Sequence, residues 1–228
     1  MGVKEPDDRL VHFLRTVDTP TLSNAIETLD VRLKSEGFTP LGVRCLFPEL
    51  GPMCGYAVTA QVETMSWAHK GTEEEFVKLF EAVHESRKPA VVVFQEVGPQ
   101  GDFAAHAGEV MATIFSRLGA IGLVSDCAVR DVAEVRALKF HCFARGTVAS
   151  HAYFHIVRVG TPIQILGQVI QPGLVIHGDE NGLIVVPSEA FAGVAEAVQR
   201  VRLREKDLMD FVRSPGFEAQ SLRGHFFE

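Results

Sequence analysis

An arginine next to an aspartate at the end of an apolar run needs partners for its charge. In "AIGLVSDCAVRD" (120–131), Arg130 and Asp131 close a stretch of the kind a chain buries. Twenty residues separate this pair from Glu109 in "GEVM" (108–111), where another helical pattern begins. If helices start near Gly108 and Asp131, the N–H groups of Val110 and Met111 become free donors for a substrate carboxylate, and Gly108 permits close approach. Arg130 adds a two-pronged clamp on the same carboxylate. Asp131 and Glu109 then supply hard oxygens for a magnesium-like ion, directly or through water. A plainer account stands beside this one. Asp131 followed by Glu134 fits an aspartate variant of the capping box, worth about 1 kcal/mol with no catalytic meaning. Glu109 in a first turn suits the helix dipole, and Asp126 or Asp131 can answer the charge of Arg130. Spacing alone leaves both accounts open.

Other chemical candidates carry less weight. His151 and His155 lie four apart, as helical zinc ligands do, but "HAYFHIVRV" is rich in strand formers and offers no third ligand. His106, just before the "GEVM" turn, either lines the pocket or, on the plainer reading, is a solvated loop histidine. Lys139 adjoins a core strand and is the one candidate for Schiff-base chemistry. The chain has no GxGxxG fingerprint, phosphate-binding GxxxxGK[ST] or GxSxG elbow, so nucleotide and serine-hydrolase readings lose their usual support.

The elements that must position these residues follow from periodicity. "DRLVHFLRTV" and "DTPTLSNAIETL" predict two N-terminal helices, the second capped by Asp18 or Thr19 with Pro20 in its first turn. "GYAVTAQVET" predicts a strand, "TEEEFVKLFEAVHESRK" a helix, "PAVVVFQEV" a buried strand, "GEVMATIFSRLG" a helix ended by Gly119, "AIGLVSD" a buried strand and "DVAEVRALK" a helix. That alternation implies βαβ units around a largely parallel sheet. From "FHCFARG" to "GLIVVP" short β-rich runs are divided by Gly and Pro. "SEAFAGVAEAVQRVRLREKDLMDFV" then predicts one long helix, followed by a tail with three phenylalanines that pack on this chain or a neighbour's. With 46% apolar residues among 228 and no repeat, linker or composition break, we expect one α/β domain over 1–228, its core at about 18–187 and its closing helix and tail at 188–228. The net charge of −7 disfavours nucleic acid as a ligand, and no apolar run is long enough for a membrane span. Four cysteines without a CxxC pair, and a start lacking a secretion signal, lead us to expect a cytoplasmic protein with free thiols.

In chain order, "GEVM", the "RD" pair at 130–131, "FARGT", "GTPIQILGQVIQPG" and "GDENGLIVVP" resemble the class II pyruvate aldolases that cleave 4-hydroxy-4-methyl-2-oxoglutarate or 4-carboxy-4-hydroxy-2-oxoadipate. That RraA-like family also contains the regulator of ribonuclease E activity A. The resemblance implies a three-layer β/β/α swivelling-domain fold with N-terminal helices and a long C-terminal helix. It also implies a homotrimer, or a homohexamer of two trimers, with active sites between subunits. The backbone at Gly108, Glu109, Val110 and Met111 would receive the pyruvyl carboxylate, Glu109 would hold water of the metal's shell, Arg130 would bind substrate, and Asp131 would bind Mg2+, Mn2+ or another divalent metal. An acid from the adjacent subunit's last helix completes such sites, and Glu205 in "RLREKD" is the matching residue. The implied reaction is a metal-dependent lyase acting on a small 2-oxo acid, with oxaloacetate decarboxylation as a side activity. The alternative is a non-catalytic regulator that masks a partner's surface. The sequence also departs from the family pattern. Glu109 stands where aspartate is common, Cys127 where glycine is usual, Leu174 in place of the acid of a "PGD" turn, and Asn181 in place of the second acid of "GDxDG".

Overall fold

The computed structural model describes residues 6–67 and 71–223. Helices α1 (Asp8–Leu14) and α2 (Thr19–Glu27) start where Asp7 and Asp18 accept the N–H groups of Leu10 and Thr21, and Pro20 sits in the first turn of α2. Strand β1 (Arg44–Cys45) is followed by β2 (Met53–Glu63) and α3 (Glu73–Glu85), which begins with a complete capping box between Thr72 and Glu75. Next come β3 (Ala90–Glu96), β4 (Ala105–Ala107), α4 (Glu109–Arg117), β5 (Ala120–Ser125), β6 (Ala128–Val129), α5 (Val132–Ala137), β7 (His141–Ala144) and β8 (Gly146–Thr147). The β-rich stretch continues as β9 (His155–Val159), β10 (Ile163–Ile165), β11 (Gln168–Ile170), β12 (Val175–Asp179) and β13 (Gly182–Val186), and α6 (Val194–Val212) closes the described body.

Eight strands form the main sheet, in the order β1-β7-β5-β3-β2-β12-β13, with β9 pairing the far half of β2. The run β2, β3, β5, β7 is parallel, as the alternation predicts. Strand period decides the layers. Val92 and Phe94 of β3 turn to the face covered by Leu79 and Val83 of α3 and by Phe115 of α4. Val91 and Val93 turn to the other face, packed against Ile163, Ile165 and Ile170 of the β10–β11 hairpin. The parallel strands, buried on both faces, therefore read as continuous apolar runs. A third cluster joins α1, α2 and α6 to β12 and β13 through Leu14, Leu22, Val175, Ile184 and Val198.

Three features differ from the sequence expectation. A separate small parallel sheet, β4-β6-β8, forms beside the main one, and β4 and β6 lie where the chain reads only as loops between strand and helix. Its strands have two or three residues each, too few to show a period. The last helix starts at Val194, not Ser188: Ser188–Ala190 is a single 3-10 turn, and Gly193, a poor helix former, stands at the N-cap. In the tail, Phe217 packs edge-on against Phe211 with ring centroids 5.8 Å apart, while Phe226 and Phe227 lie outside the described residues. Among the described residues, no helix is long and apolar enough to cross a membrane.

Candidate active site

The twenty-residue spacing corresponds to one return of the chain. Strand β4 runs into α4 at Gly108, then α4 and β5 lead back to β6, which pairs parallel with β4 and ends just before Arg130. The Arg130 N–H donates to the Ala107 carbonyl at 2.9 Å, and the Glu109 N–H donates to Asp131 Oδ2 at 3.0 Å. Arg130 Nε lies 3.6 Å from the same oxygen. A Cβ on Gly108 would stand 2.2 Å from Asp131 Oδ2 and 2.9 Å from Arg130 Cγ. Its φ of −145° is ordinary extended backbone, so glycine is required by close approach and not by dihedral angle. Asp131 adopts left-handed φ/ψ of 54°/45°, which aspartate tolerates better than most residues.

This geometry overturns the capping-box account. Asp131 is the N-cap of α5, but its side chain makes no cap bond to that helix. Its carboxylate reaches across to the N-terminus of α4, where the partial positive charge of the helix favours an anion. Gly108 supplies no side-chain cap, and the first bond of α4 runs from the Ala112 N–H to the Gly108 carbonyl, so the N–H groups of Val110 and Met111 lie ahead of any helical acceptor. Arg130 and Asp131 side chains are 37% and 38% exposed, which leaves both able to meet a ligand. The partner of Arg130 is Asp131 and not Asp126, whose Oδ1 accepts the Glu96 N–H.

A cavity of about 190 Å³ opens at these turns. Gly108, Arg130 and His106 form its polar side, and Phe76, Met111 and Phe154 its apolar side. Glu205 is elsewhere. It lines a groove between α2 and α6 and accepts a hydrogen bond from Asn24 Nδ2 at 3.2 Å, so one chain does not bring it to Arg130. Lys139 is exposed just beyond the end of α5 away from Asp131. His155 is buried on β9 with Nε2 3.5 Å from Glu63 Oε2, whereas His151 is exposed in the preceding turn and borders the cavity. The two histidines therefore do not form a zinc pair on one helix face.

His106 is not a solvated loop residue. It sits on β4, 2% exposed, with Nε2 3.0 Å from Glu96 Oε2 and Nδ1 2.9 Å from Ser125 Oγ. Glu96 in turn accepts from Thr64 Oγ1 at 2.8 Å and from the Gly98 N–H at 2.8 Å. Ser125 Oγ accepts the Cys127 N–H, and Cys127 Sγ donates to the Ala104 carbonyl. Burial disfavours the imidazolium, but hydrogen bonding to Cys127 and Glu96 outweighs it and raises His106 to about 8. For Cys127, burial opposes the thiolate, and the bond to His106, the charge of that ring and hydrogen bonds with the backbone at Ala104 and Ala128 together outweigh it and lower its pKa. Burial raises Asp126 to about 6. Glu96, His106 and Cys127 thus offer three metal-ligand types within 4.8 Å, but their donors are engaged in a chain of hydrogen bonds. Sequence reasoning missed Glu96 and Ser125. The available signal was a polar residue at the carboxyl end of each of two adjacent parallel strands, where α/β sheets place their ligands.

A family model, RraA-like (Aldolase/RraA), matches residues 19–185. The chain belongs to the RraA-like family. A relative from Halalkalibacterium halodurans, provisionally named a 4-hydroxy-4-methyl-2-oxoglutarate aldolase, is 29% identical over 87% of this chain and 88% of its own. The RraAS2 protein of Streptomyces coelicolor, described as an unusual member of the RNase ES inhibitor RraA family, superposes with a TM-score of 0.68 at 24% identity, covering 93% of this chain and 99% of that one. An uncharacterised protein of Pseudomonas syringae reaches 0.77 at 21% identity, with 99% and 98% covered. The RraA-like fold expected from the resemblance is thus the observed one. Two departures from the family pattern have visible local roles in this RraA-like chain. Cys127 reaches the Ala104 carbonyl behind β4, and Asn181 donates from backbone and side chain to Asp179 Oδ1.

Proposed function

We propose that this chain is a divalent-metal-dependent pyruvate lyase that cleaves 4-hydroxy-2-oxo acids and decarboxylates oxaloacetate as a side activity. One observation carries the reading: helix-start amides, a guanidinium and a carboxylate meet where the Gly108 turn and Arg130 border a single small cavity. The amides of Val110 and Met111 bind the substrate carboxylate, and Arg130 clamps it and stabilises the negative charge that develops on the keto oxygen during cleavage. Glu109, at the first turn of α4, orients the water that removes the C4 hydroxyl proton.

Asp131 suits a hard cation. Its Oδ2 is held by the Glu109 amide, and Oδ1 accepts no hydrogen bond among the described residues. A single carboxylate is enough where substrate oxygens and water fill the other positions, as is usual for Mg2+. When bound, Mg2+ or Mn2+ supplies Lewis-acid polarisation of the keto oxygen. The name of the H. halodurans relative and the Aldolase/RraA family model support this chemistry. We further read residues 1–228 as one domain and the working unit as a trimer or hexamer, in which Glu205 of one copy completes the site of the next. The four free thiols suit a reducing cytoplasm. Coupled pyruvate release over a panel of 4-hydroxy-2-oxo acids and oxaloacetate, with and without chelator, tests the reading. Absence of metal-dependent pyruvate formation from every substrate would overturn it.

A further inference from the structure

Behind the two turns lies a buried network that the proposed reaction does not use. The small sheet carrying both turns has strands of three, two and two residues, with a register shift between Ala105 and Ala107. Such short ladders hold few hydrogen bonds, so the direction of the Gly108 turn must be set by something else. The His106 side chain leaves β4 for the carboxyl ends of β3 and β5, where Glu96 and Ser125 hold its two nitrogens. Glu96 is itself fixed by Thr64 and the Gly98 amide, and Ser125 fixes the Cys127 amide at the start of the segment leading to Arg130. The rings of Phe94 and Phe154 lie about 6 Å from the imidazole and limit its rotation. One ring therefore ties together two turns that are distant along the chain, and it borders the same cavity as Gly108 and Arg130.

We propose that His106 is a positioning residue: bridged between Glu96 and Ser125, it locks β4 and the segment before Arg130 so that the α4 amides and the guanidinium converge on one anion. The proposal rests on the pyruvate-lyase reading for its kinetic readout only. Around the imidazole stand Glu96 from β3 and Asp126 and Cys127 after β5, with Arg130 lining the same cavity from the end of β6. The His106 ring is thus set between Glu96 and Asp126 on one side and the ligand cavity on the other.

The test uses the full chain with Mg2+ and four variants. His106→Gln places its amide near the former Nε2 and can keep the Glu96 bond, His106→Asn places it near Nδ1 and can keep the Ser125 bond, and His106→Ala keeps neither. Ser125→Ala removes a single oxygen and guards against misfolding of the larger changes. KM, kcat, pyruvate affinity by calorimetry and the pH profile of each are measured, together with the backbone amide resonances of Gly108 to Met111 and Arg130. We expect His106→Ala to raise KM roughly tenfold or more, with a smaller change in kcat. His106→Gln and His106→Asn should each restore part of this, and the alkaline inflection of the wild-type KM profile should vanish in all three. Ser125→Ala should shift both the Gly108 and the Arg130 amide resonances. Wild-type KM and pH profile in the His106 variants, or resonances unmoved in Ser125→Ala, would overturn the proposal. If the wild-type chain neither binds pyruvate nor turns over, the lyase reading fails and the amide resonances alone decide the positioning role.

Discussion

Gly108→Ala probes the meeting of the two turns more directly than removal of any charged group. The added methyl would sit 2.2 Å from Asp131 Oδ2, where ordinary contact begins at 3.4 Å, so the carboxylate must retreat by about 1 Å. That movement stretches the 3.0 Å bond from the Glu109 N–H past hydrogen-bond range and pushes on Arg130 Cγ at 2.9 Å. Loss of a hydrogen bond to a charged acceptor costs about 2 kcal/mol, which for a chain of this size lowers Tm by roughly 5 °C. The effect on function should be larger than the effect on stability. A displacement of about 1 Å in a substrate-positioning group can lower kcat/KM by ~100-fold. Gly146→Ala is the control, because a Cβ there meets nothing within 4 Å. The assay is coupled pyruvate release with Mg2+, alongside thermal unfolding of both variants. Wild-type kcat/KM in Gly108→Ala would show that the Gly108 turn and the Arg130–Asp131 pair do not serve one ligand, and the site would have to be sought elsewhere.

Arg130→Ala should reduce kcat/KM by ~100-fold or more in the same assay with little change in unfolding temperature, since the guanidinium is partly exposed; a non-catalytic regulator would retain its function in this variant. Chelation by EDTA should stop pyruvate release and added Mg2+ should restore it, whereas borohydride with substrate should leave no adduct on Lys139, as mass spectrometry can establish. His106 carries a pKa raised to about 8, so the stability it adds is complete below its unfolded value near 6.5 and is lost as pH rises through about 8. The difference in unfolding free energy between wild type and His106→Gln should therefore shrink by about 2 kcal/mol from about pH 6 to about pH 9, measured by denaturant titration at each pH; a constant difference would count against a charged imidazole in the buried network.

Much of this arrangement is legible in the chain because burial imposes a period. Continuous apolar runs such as "PAVVVF" mark strands covered on both faces, and Thr72 with Glu75 marks a helix start without reference to anything distant. The order of motifs from "GEVM" to "GDENGLIVVP" pointed to Gly108 and the Arg130–Asp131 pair, which one parallel return from β4 to β6 brings together. The Ala-rich strands β4 and β6 left no such mark. The sequence by itself thus determined the order of the helices and of the main parallel strands, and the place of both turns. Tertiary structure decided where Asp131 sends its carboxylate, that His106 is buried between Glu96 and Ser125, and that Glu205 lies apart from Arg130 within one chain. The physical reason is range: propensity and period act over a few residues, while a charge takes whichever partner the folded chain brings within about 3 Å, however far away it is in sequence.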